Sequence, residues 1–218
     1  MYFQKALKGI NGIDQATAQH IVDNGLMSNW WRKAGTIKVA DQKQLLNYAN
    51  ADLHLNHYNE PIPAGHLLSP YGGSYGSVSP FISTTAGAIQ RDKDKGTNIF
   101  FDPFLTALRF ATKQYRSTGY IFYCYLLTIG KAAIEMEQFS EEIRELHIYR
   151  DYLPYHSQGE IMAKIIIPSV QIEMAVEYNG PEAKAALKAK TIPVPTNRII
   201  NTTYLPPEKY SNIREVLS

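Results

Sequence analysis

Two short groups of polar residues could do chemistry, because each stands at one end of an expected strand. Ser83, Thr84 and Thr85 end one strand, and Gln158 and Glu160 open another. If the second segment is extended, Gln158 and Glu160 project from the same face, since side chains alternate along a strand. A carboxylate fixed beside hydroxyl groups can offset a positive charge that develops on a reacting molecule. The order of the two groups, their strand contexts and their spacing favour one joint site, in which Glu160 is the candidate carboxylate.

These segments resemble those of the mono-ADP-ribosyltransferase toxins of the cholera and pertussis type. Phe81–Thr85 resembles the aromatic-Val-Ser-Thr-Ser segment that lines the nicotinamide pocket in that family, and residues 158–168 resemble the strand that carries its catalytic glutamate. The aromatic strand at 120–127 and the helix and Asn-Gly turn at 21–26 are similar to elements of the same family. The resemblance implies that NAD is the substrate and that ADP-ribose is transferred to a macromolecule, either protein or nucleic acid.

The resemblance also implies a role for each residue of the two groups. Glu160 would stabilise the oxocarbenium-like transition state that forms when the bond between nicotinamide and ribose breaks. Gln158 would orient the acceptor, Ser83 would hold the Glu160 carboxylate, and Thr84 and Thr85 would shape the nicotinamide pocket. A tyrosine of the aromatic strand would stack on the nicotinamide ring. Because Gln158 stands where arginine-modifying members carry glutamate, we expect the acceptor to be Asn, Gln, Cys or a nucleobase.

The first strand of this family carries an arginine that holds the NAD phosphate, and no arginine stands there in this chain. By position that strand is residues 1–7, where the candidates are Gln4 and Lys5. We predict that Lys5 lies in the NAD cleft, where it would supply charge without the two-pronged geometry of a guanidinium. Arg32, which follows the Asn-Gly turn, and His66, by analogy with a sister class, are the other candidates.

Two other functions stay open. An NAD glycohydrolase would use Glu160 with water as the acceptor, whereas a non-catalytic binding domain would explain the missing arginine.

His54 and His57 have helical spacing, but no third potential metal ligand stands at a spacing typical of a metal site. We therefore expect two exposed histidines and no metal. The glycine-rich residues 72–77 lack the lysine and the following helix of a phosphate-binding loop, and a flexible loop is expected there.

Composition excludes several classes of protein. The net charge of +2 is too small to indicate nucleic acid or a membrane surface. No stretch approaches the roughly 20 apolar residues of a membrane span. Cys124, the single cysteine, lies in an apolar run and is expected to be a buried thiol. The first residues lack the apolar core of a secretory signal. With the toxin resemblance, we expect a protein that is secreted or delivered into a target cell.

The order of elements predicts an α+β fold, because helical signals precede most strand signals. We expect two small antiparallel sheets that form an NAD cleft, with helices mainly in the N-terminal half. Residues 1–180 would form the catalytic domain, and 181–218 a C-terminal extension that is packed on it or partly flexible. The expected helices are one that Asp14 caps and Asn24-Gly25 ends, then 41–55, 103–115 and an Ala- and Lys-rich helix after Pro181. The expected later strands are 81–85, 120–128, 161–167 and 170–178.

Overall fold

The computed structural model describes residues 2–34, 44–86, 88–91, 98–128, 160–210 and 214–215. Within these ranges the chain has the predicted α+β fold, with one seven-stranded sheet, two two-stranded sheets and six helices. The strands are β1 (Tyr2–Asn11), β2 (Leu26–Met27), β3 (Phe81–Thr85), β4 (Ala88–Arg91), β5 (Asn98–Phe101), β6 (Thr118–Thr128), β7 (Glu160–Lys164), β8 (Ile166–Ile167), β9 (Ile172–Asn179), β10 (Asn197–Ile200) and β11 (Arg214–Glu215). The helices are α1 (Gln15–Asn24), α2 (Asn29–Ala34), α3 (Tyr48–Asn56), α4 (Tyr75–Val78), α5 (Pro103–Ala111) and α6 (Gly180–Lys188).

The large sheet has the strand order β10-β9-β6-β1-β3-β7, with antiparallel neighbours, and β11 pairs in parallel with β1. Strand β1 pairs with β6 along its whole length, but it pairs with β3 only at Leu7 and Thr85. The sheet therefore consists of two parts that are joined at one residue pair. The sequence predicts an α+β fold with two small antiparallel sheets, and the structure joins most of the strands into one large sheet. A cavity opens where β1 and β3 separate.

Apolar side chains cover both faces of the sheet, because successive residues of a strand point to opposite sides. On one face α1 packs against Tyr120 and Phe122, and on the other α5 and α6 pack against Ile121 and Val176. Helix α3 covers the β3–β7 part through a smaller cluster that comprises Ala51, Leu55, Phe81 and Met162. Within the described ranges, no helix combines the length and the hydropathy needed to cross a bilayer.

Local chemistry explains where α1 begins and ends, as predicted. The Asp14 carboxylate accepts a hydrogen bond from the Thr17 amide at 2.8 Å, and Gly25 follows the helix with φ 90°. The prediction for 103–115 is too long at its end, because α5 stops at Ala111 and residues 113–115 all have positive φ. The predicted strand at 161–167 is likewise divided at Ile165, where φ is 60°.

The later part of the chain is packed on the sheet. Beyond residue 180, where an extension was expected, α6 buries Ala183 and β10 pairs with β9. The expected helix at 41–55 is represented by α3, whose N-cap Asn47 accepts from the amide of Asn50 at 2.9 Å. Residues 41–43 lie outside the described ranges.

Gly119 lets the end of α5 lie directly against β6. A Cβ atom at this position would lie 1.9 Å from the carbonyl oxygen of Ala111 and 2.6 Å from that of Ile10. We therefore expect Gly119→Ala to lower the free energy of unfolding by about 1–3 kcal/mol, the usual cost of overpacking. Urea denaturation measures this change. The exposed neighbour Thr118 is the control, and Thr118→Ala should change stability by less than about 0.5 kcal/mol. Equal values for the two variants would contradict close packing at Gly119.

Candidate active site

A cavity of about 360 Å³ lies where β1 and β3 separate. Five elements line it: β1, α3 with the residues just after it, β3, α5 and β7. Its polar side chains include Lys8, His54, Ser83, Thr85 and Glu160. Its apolar lining includes Leu7, Leu55, Ala107 and Phe110. The structure thus gathers residues that are up to 153 positions apart in the sequence, from Leu7 to Glu160, around one volume.

Glu160 is the first residue of β7 and lies opposite Thr85 of β3. Its side chain is 17% exposed, and its Oε1 lies 3.5 Å from Nε2 of His54. Burial alone would raise the pKa of Glu160, but hydrogen bonds with His54 and Ser83, together with the charges of His54 and Lys8, hold this pKa below its ordinary value. The cavity therefore contains an ionised carboxylate at neutral pH.

His54 connects Ser83 to Glu160 through a single ring nitrogen. The Ser83 hydroxyl lies 2.8 Å from Nε2, the same atom that faces the carboxylate. The other nitrogen, Nδ1, is buried and has no hydrogen-bond partner among the described residues. A serine nucleophile relay needs the carboxylate on the nitrogen opposite the serine. The geometry is therefore that of a histidine and a serine which together hold a carboxylate in place.

Lys8 supplies a positive charge to the same cavity. Burial lowers the pKa of the Lys8 ammonium, while the Glu160 carboxylate raises it. Lys5, which was expected in the cleft, has an exposed side chain and does not line the cavity. Residues 7–9 of β1 line the cavity, so Lys8 reaches it, whereas Lys5 lies three residues earlier along the strand. Lys8, and not Lys5, is the β1 lysine that lines the cavity.

The other candidates for the missing arginine lie outside the cavity lining. Gln4 is buried, and its side-chain amide donates to the carbonyl oxygen of Lys5 at 3.0 Å. Arg32 is exposed and donates to Asn29, and its charge also contributes to the lowered pKa of Lys8. His66 accepts a hydrogen bond from a nearby backbone amide.

The structure brings most of the predicted polar residues together. Ser83, Thr84 and Thr85 all line the cavity, and the Thr84 hydroxyl donates to the carbonyl oxygen of Ile161 at 2.6 Å. Thr84 therefore also ties β3 to β7. Gln158 lies outside the described ranges.

Two site residues, His54 and Tyr58, were missed in the sequence. His54 was expected to be exposed, but it is 4% exposed. Tyr58, just beyond α3, lines the cavity, whereas Tyr120 and Tyr125 of the aromatic strand are buried outside it. The spacing of Ala51, His54 and Tyr58 is that of one helix face, which is the signal that could have identified both residues.

Two further expectations concern thiol and metal chemistry. Cys124 is buried as predicted, and burial raises the pKa of its thiol to about 12. The thiol is therefore protonated at neutral pH, and the nucleophilic thiolate does not form. In the part of the chain that the structure describes, no three His, Cys, Asp or Glu side chains come together in a way that could hold a metal ion.

Comparisons with known proteins give weak structural similarities only. No family model and no curated protein matches the sequence. A solved structure named EcPltA is 15% identical, with a TM-score of 0.46, over 97% of this chain and 91% of that chain. The catalytic domain of the mosquitocidal toxin from Bacillus sphaericus is 13% identical, with a TM-score of 0.41, over 98% of this chain and 63% of that chain. Similarity at this level does not identify a family.

The lowered pKa of Glu160 predicts how stability depends on pH. Its ionised form stabilises the folded protein above the ordinary value of 4.5, and this stabilisation is lost as the pH falls through the lower folded-state pKa. We expect Glu160→Gln to be less stable than the wild type at about pH 7, and the difference to shrink below about pH 4.5. Urea denaturation across this range measures it. A difference that grows on acidification would show that burial outweighs the hydrogen bonds.

Proposed function

We propose that this protein transfers ADP-ribose from NAD to a macromolecular acceptor, with Glu160 as the catalytic carboxylate. One observation carries the proposal: an ionised carboxylate, held by Ser83 and His54, lines a cavity that also contains the Lys8 ammonium. The resemblance of Phe81–Thr85 and residues 158–168 to the ADP-ribosyltransferase toxins supports the same function.

Glu160 would act on the bond between nicotinamide and ribose. As this bond breaks, positive charge develops on the ribose, and a carboxylate that is already oriented stabilises that charge without reorganisation. The contacts with His54 and Ser83 hold the carboxylate at the cavity. Partial burial strengthens the interaction, because water screens it less. Nicotinamide then leaves, and the acceptor attacks the ribose carbon.

Lys8 would neutralise the pyrophosphate of NAD. An ammonium binds phosphate as a point charge, so Lys8 can supply the charge that the toxin family takes from a first-strand arginine. This assignment weakens the alternative of a non-catalytic binding domain, since that alternative depended on the missing charge. For Gln158 we retain the proposal that it orients an Asn, Gln, Cys or nucleobase acceptor. We also propose that the protein is a toxin or effector that is secreted or delivered into a target cell.

Glu160→Gln should abolish release of nicotinamide, because an amide of the same shape cannot offset the charge on the ribose. The loss of about 3–4 kcal/mol of transition-state stabilisation corresponds to a 10²–10³-fold lower turnover. The measurement follows labelled NAD in the presence of a cell lysate. Glu173→Gln, at an exposed position of β9, is the matched control and should keep full turnover.

The same assay separates the proposed transferase from a glycohydrolase. Transfer places the ADP-ribose label in protein or nucleic acid, whereas hydrolysis yields only free ADP-ribose. If Glu160→Gln retains more than about a third of wild-type turnover, Glu160 does not take part in the mechanism.

Lys8→Ala should weaken NAD binding, whereas Lys5→Ala should not. Only Lys8 lines the cavity, so removal of its charge-assisted hydrogen bond should cost about 1.5–3 kcal/mol of binding free energy. Calorimetric titration in a Glu160→Gln background measures binding without turnover. Lys8→Arg should preserve affinity, because it keeps the charge. An equal loss in the Lys8→Ala and Lys5→Ala variants would contradict a local role for Lys8.

A further inference from the structure

The last turn of α5 and the residues that follow it form a basic surface beside the cavity. This basic surface comprises the exposed residues Arg109, Phe110, Lys113 and Arg116. Phe110 is 53% exposed and also lines the cavity, so the surface begins at the cavity edge. Residues 103–118 contain these three cations and no Asp or Glu. The charge that this segment contributes is therefore of one sign.

The backbone after α5 holds the cations close to the end of the helix. Residues 113–115 have φ angles between 46° and 66°, a left-handed conformation that is uncommon outside glycine. The Gln114 amide donates to the Arg109 carbonyl oxygen at 2.8 Å. The Arg116 amide donates to the Thr112 carbonyl oxygen, also at 2.8 Å. The three cations are therefore carried by one compact turn.

Strand β1 ties this turn to the sheet. The Asn11 side-chain amide donates to the Ala111 carbonyl oxygen at 3.0 Å and also to the Ser117 hydroxyl. Lys8 of the same strand lines the cavity. One strand therefore holds both the cavity lysine and the turn that carries the basic surface.

Among the residues that the structure describes, no carboxylate lies within ion-pair distance of Arg109, Lys113 or Arg116. Like charges that share a surface without partners repel each other, and a bound polyanion would relieve this repulsion. The net charge of the whole chain is small, but the potential at a surface depends on the charges located there. The basic surface is therefore suited to a polyanion.

The residue types of the basic surface favour nucleic acid over an acidic protein segment. Two of the three cations are arginines, whose planar fork binds phosphate through two parallel hydrogen bonds. The exposed ring of Phe110 can stack on a base, and a single strand presents bases and phosphates together. An acidic peptide would pair with the cations but would leave this ring uncovered. A base inside a duplex is paired and stacked, so only an unpaired base can reach the cavity.

We propose that the basic surface docks single-stranded nucleic acid and that a nucleobase of this strand is the acceptor of ADP-ribose. This inference rests on the proposed function, because NAD supplies the ADP-ribose. An amino group of the base forms a bond to the ribose C1′ carbon. Nicotinamide leaves as a neutral molecule with the electron pair of its bond to that carbon, and the amino group releases one proton to water.

Fluorescence anisotropy measures binding of labelled single-stranded DNA and RNA of about 12 nucleotides, a length within the usual site size. Arg109→Gln, Lys113→Gln and Arg116→Gln, combined in one variant, should weaken binding about tenfold or more. The slope of log affinity against log salt should fall by about 2, since three phosphate contacts are lost. Phe110→Leu should weaken binding about fivefold or more and leave that slope unchanged, because it removes a ring and no charge.

A matched control removes three charges at another place. Lys184, Lys188 and Lys190 are exposed residues on and just after α6, and their combined replacement by glutamine should change affinity by less than about twofold. A second assay adds labelled NAD and records both transfer to the oligonucleotide and release of nicotinamide. The variant of the basic surface should transfer about tenfold less label, in proportion to its weaker binding. Its release of nicotinamide without oligonucleotide should equal that of the wild type.

Each outcome supports or overturns the proposal. Transfer to DNA alone or to RNA alone supports it and identifies the acceptor. If the wild type binds neither oligonucleotide, or if the two triple variants lose equal affinity, docking at the basic surface is overturned. Binding of labelled polyglutamate in place of the oligonucleotides overturns it in favour of an acidic protein partner. Should the variant of the basic surface not fold, Arg116→Gln alone should lower the salt slope by about 0.7, and an unchanged slope overturns the proposal.

Release of nicotinamide tests the proposed function separately. If the wild type releases nicotinamide and labels protein in a lysate but not the oligonucleotides, the proposed function survives and the nucleic-acid acceptor is overturned. If the wild type releases no nicotinamide, both proposals fail, even where an oligonucleotide binds.

Discussion

The single pairing of Leu7 with Thr85 is the constraint on which the candidate site depends. If β1 and β3 paired along their full length, their backbone groups would close the space between the two parts of the sheet. If they did not pair at all, the carboxylate on β7 and the ammonium on β1 would have no fixed separation. One pair keeps the parts in register and leaves a cavity beside it, in which residues of five elements meet.

The charges in that cavity show a balance between burial and partners. Burial disfavours the ionised forms of both Glu160 and Lys8, and the opposite charge of each residue favours the ionised form of the other. For Glu160 the hydrogen bonds with Ser83 and His54 decide the outcome, and the carboxylate stays ionised. For Lys8 burial is the larger influence. The site therefore combines a carboxylate whose ionised form is favoured with an ammonium whose charged form is less favoured than that of a surface lysine.

The sequence was sufficient for the elements whose signals are local. The Asp14 cap and Gly25 define α1, and the hydroxyl cluster at Phe81–Thr85 was placed correctly in a strand. It was insufficient where the outcome depends on tertiary packing. Whether Lys5 or Lys8 lines the cavity depends on where along β1 the strand separates from β3, and no local pattern specifies this. His54 is buried because α3 lies on β3 and β7, a contact between distant segments.

The two sides of the cavity differ in what holds them. On the α5 side, Gly9 and Gly119 bring backbone against backbone, since a Cβ at either position would lie about 2 Å from a carbonyl oxygen of α5. On the α3 side, side chains such as Leu55 and Met162 form the contact. Side-chain packing tolerates substitution better than backbone contact does. Substitutions that change the shape of the cavity are therefore tolerated better on the α3 side, whereas the position of α5 against the sheet is fixed by its backbone contacts.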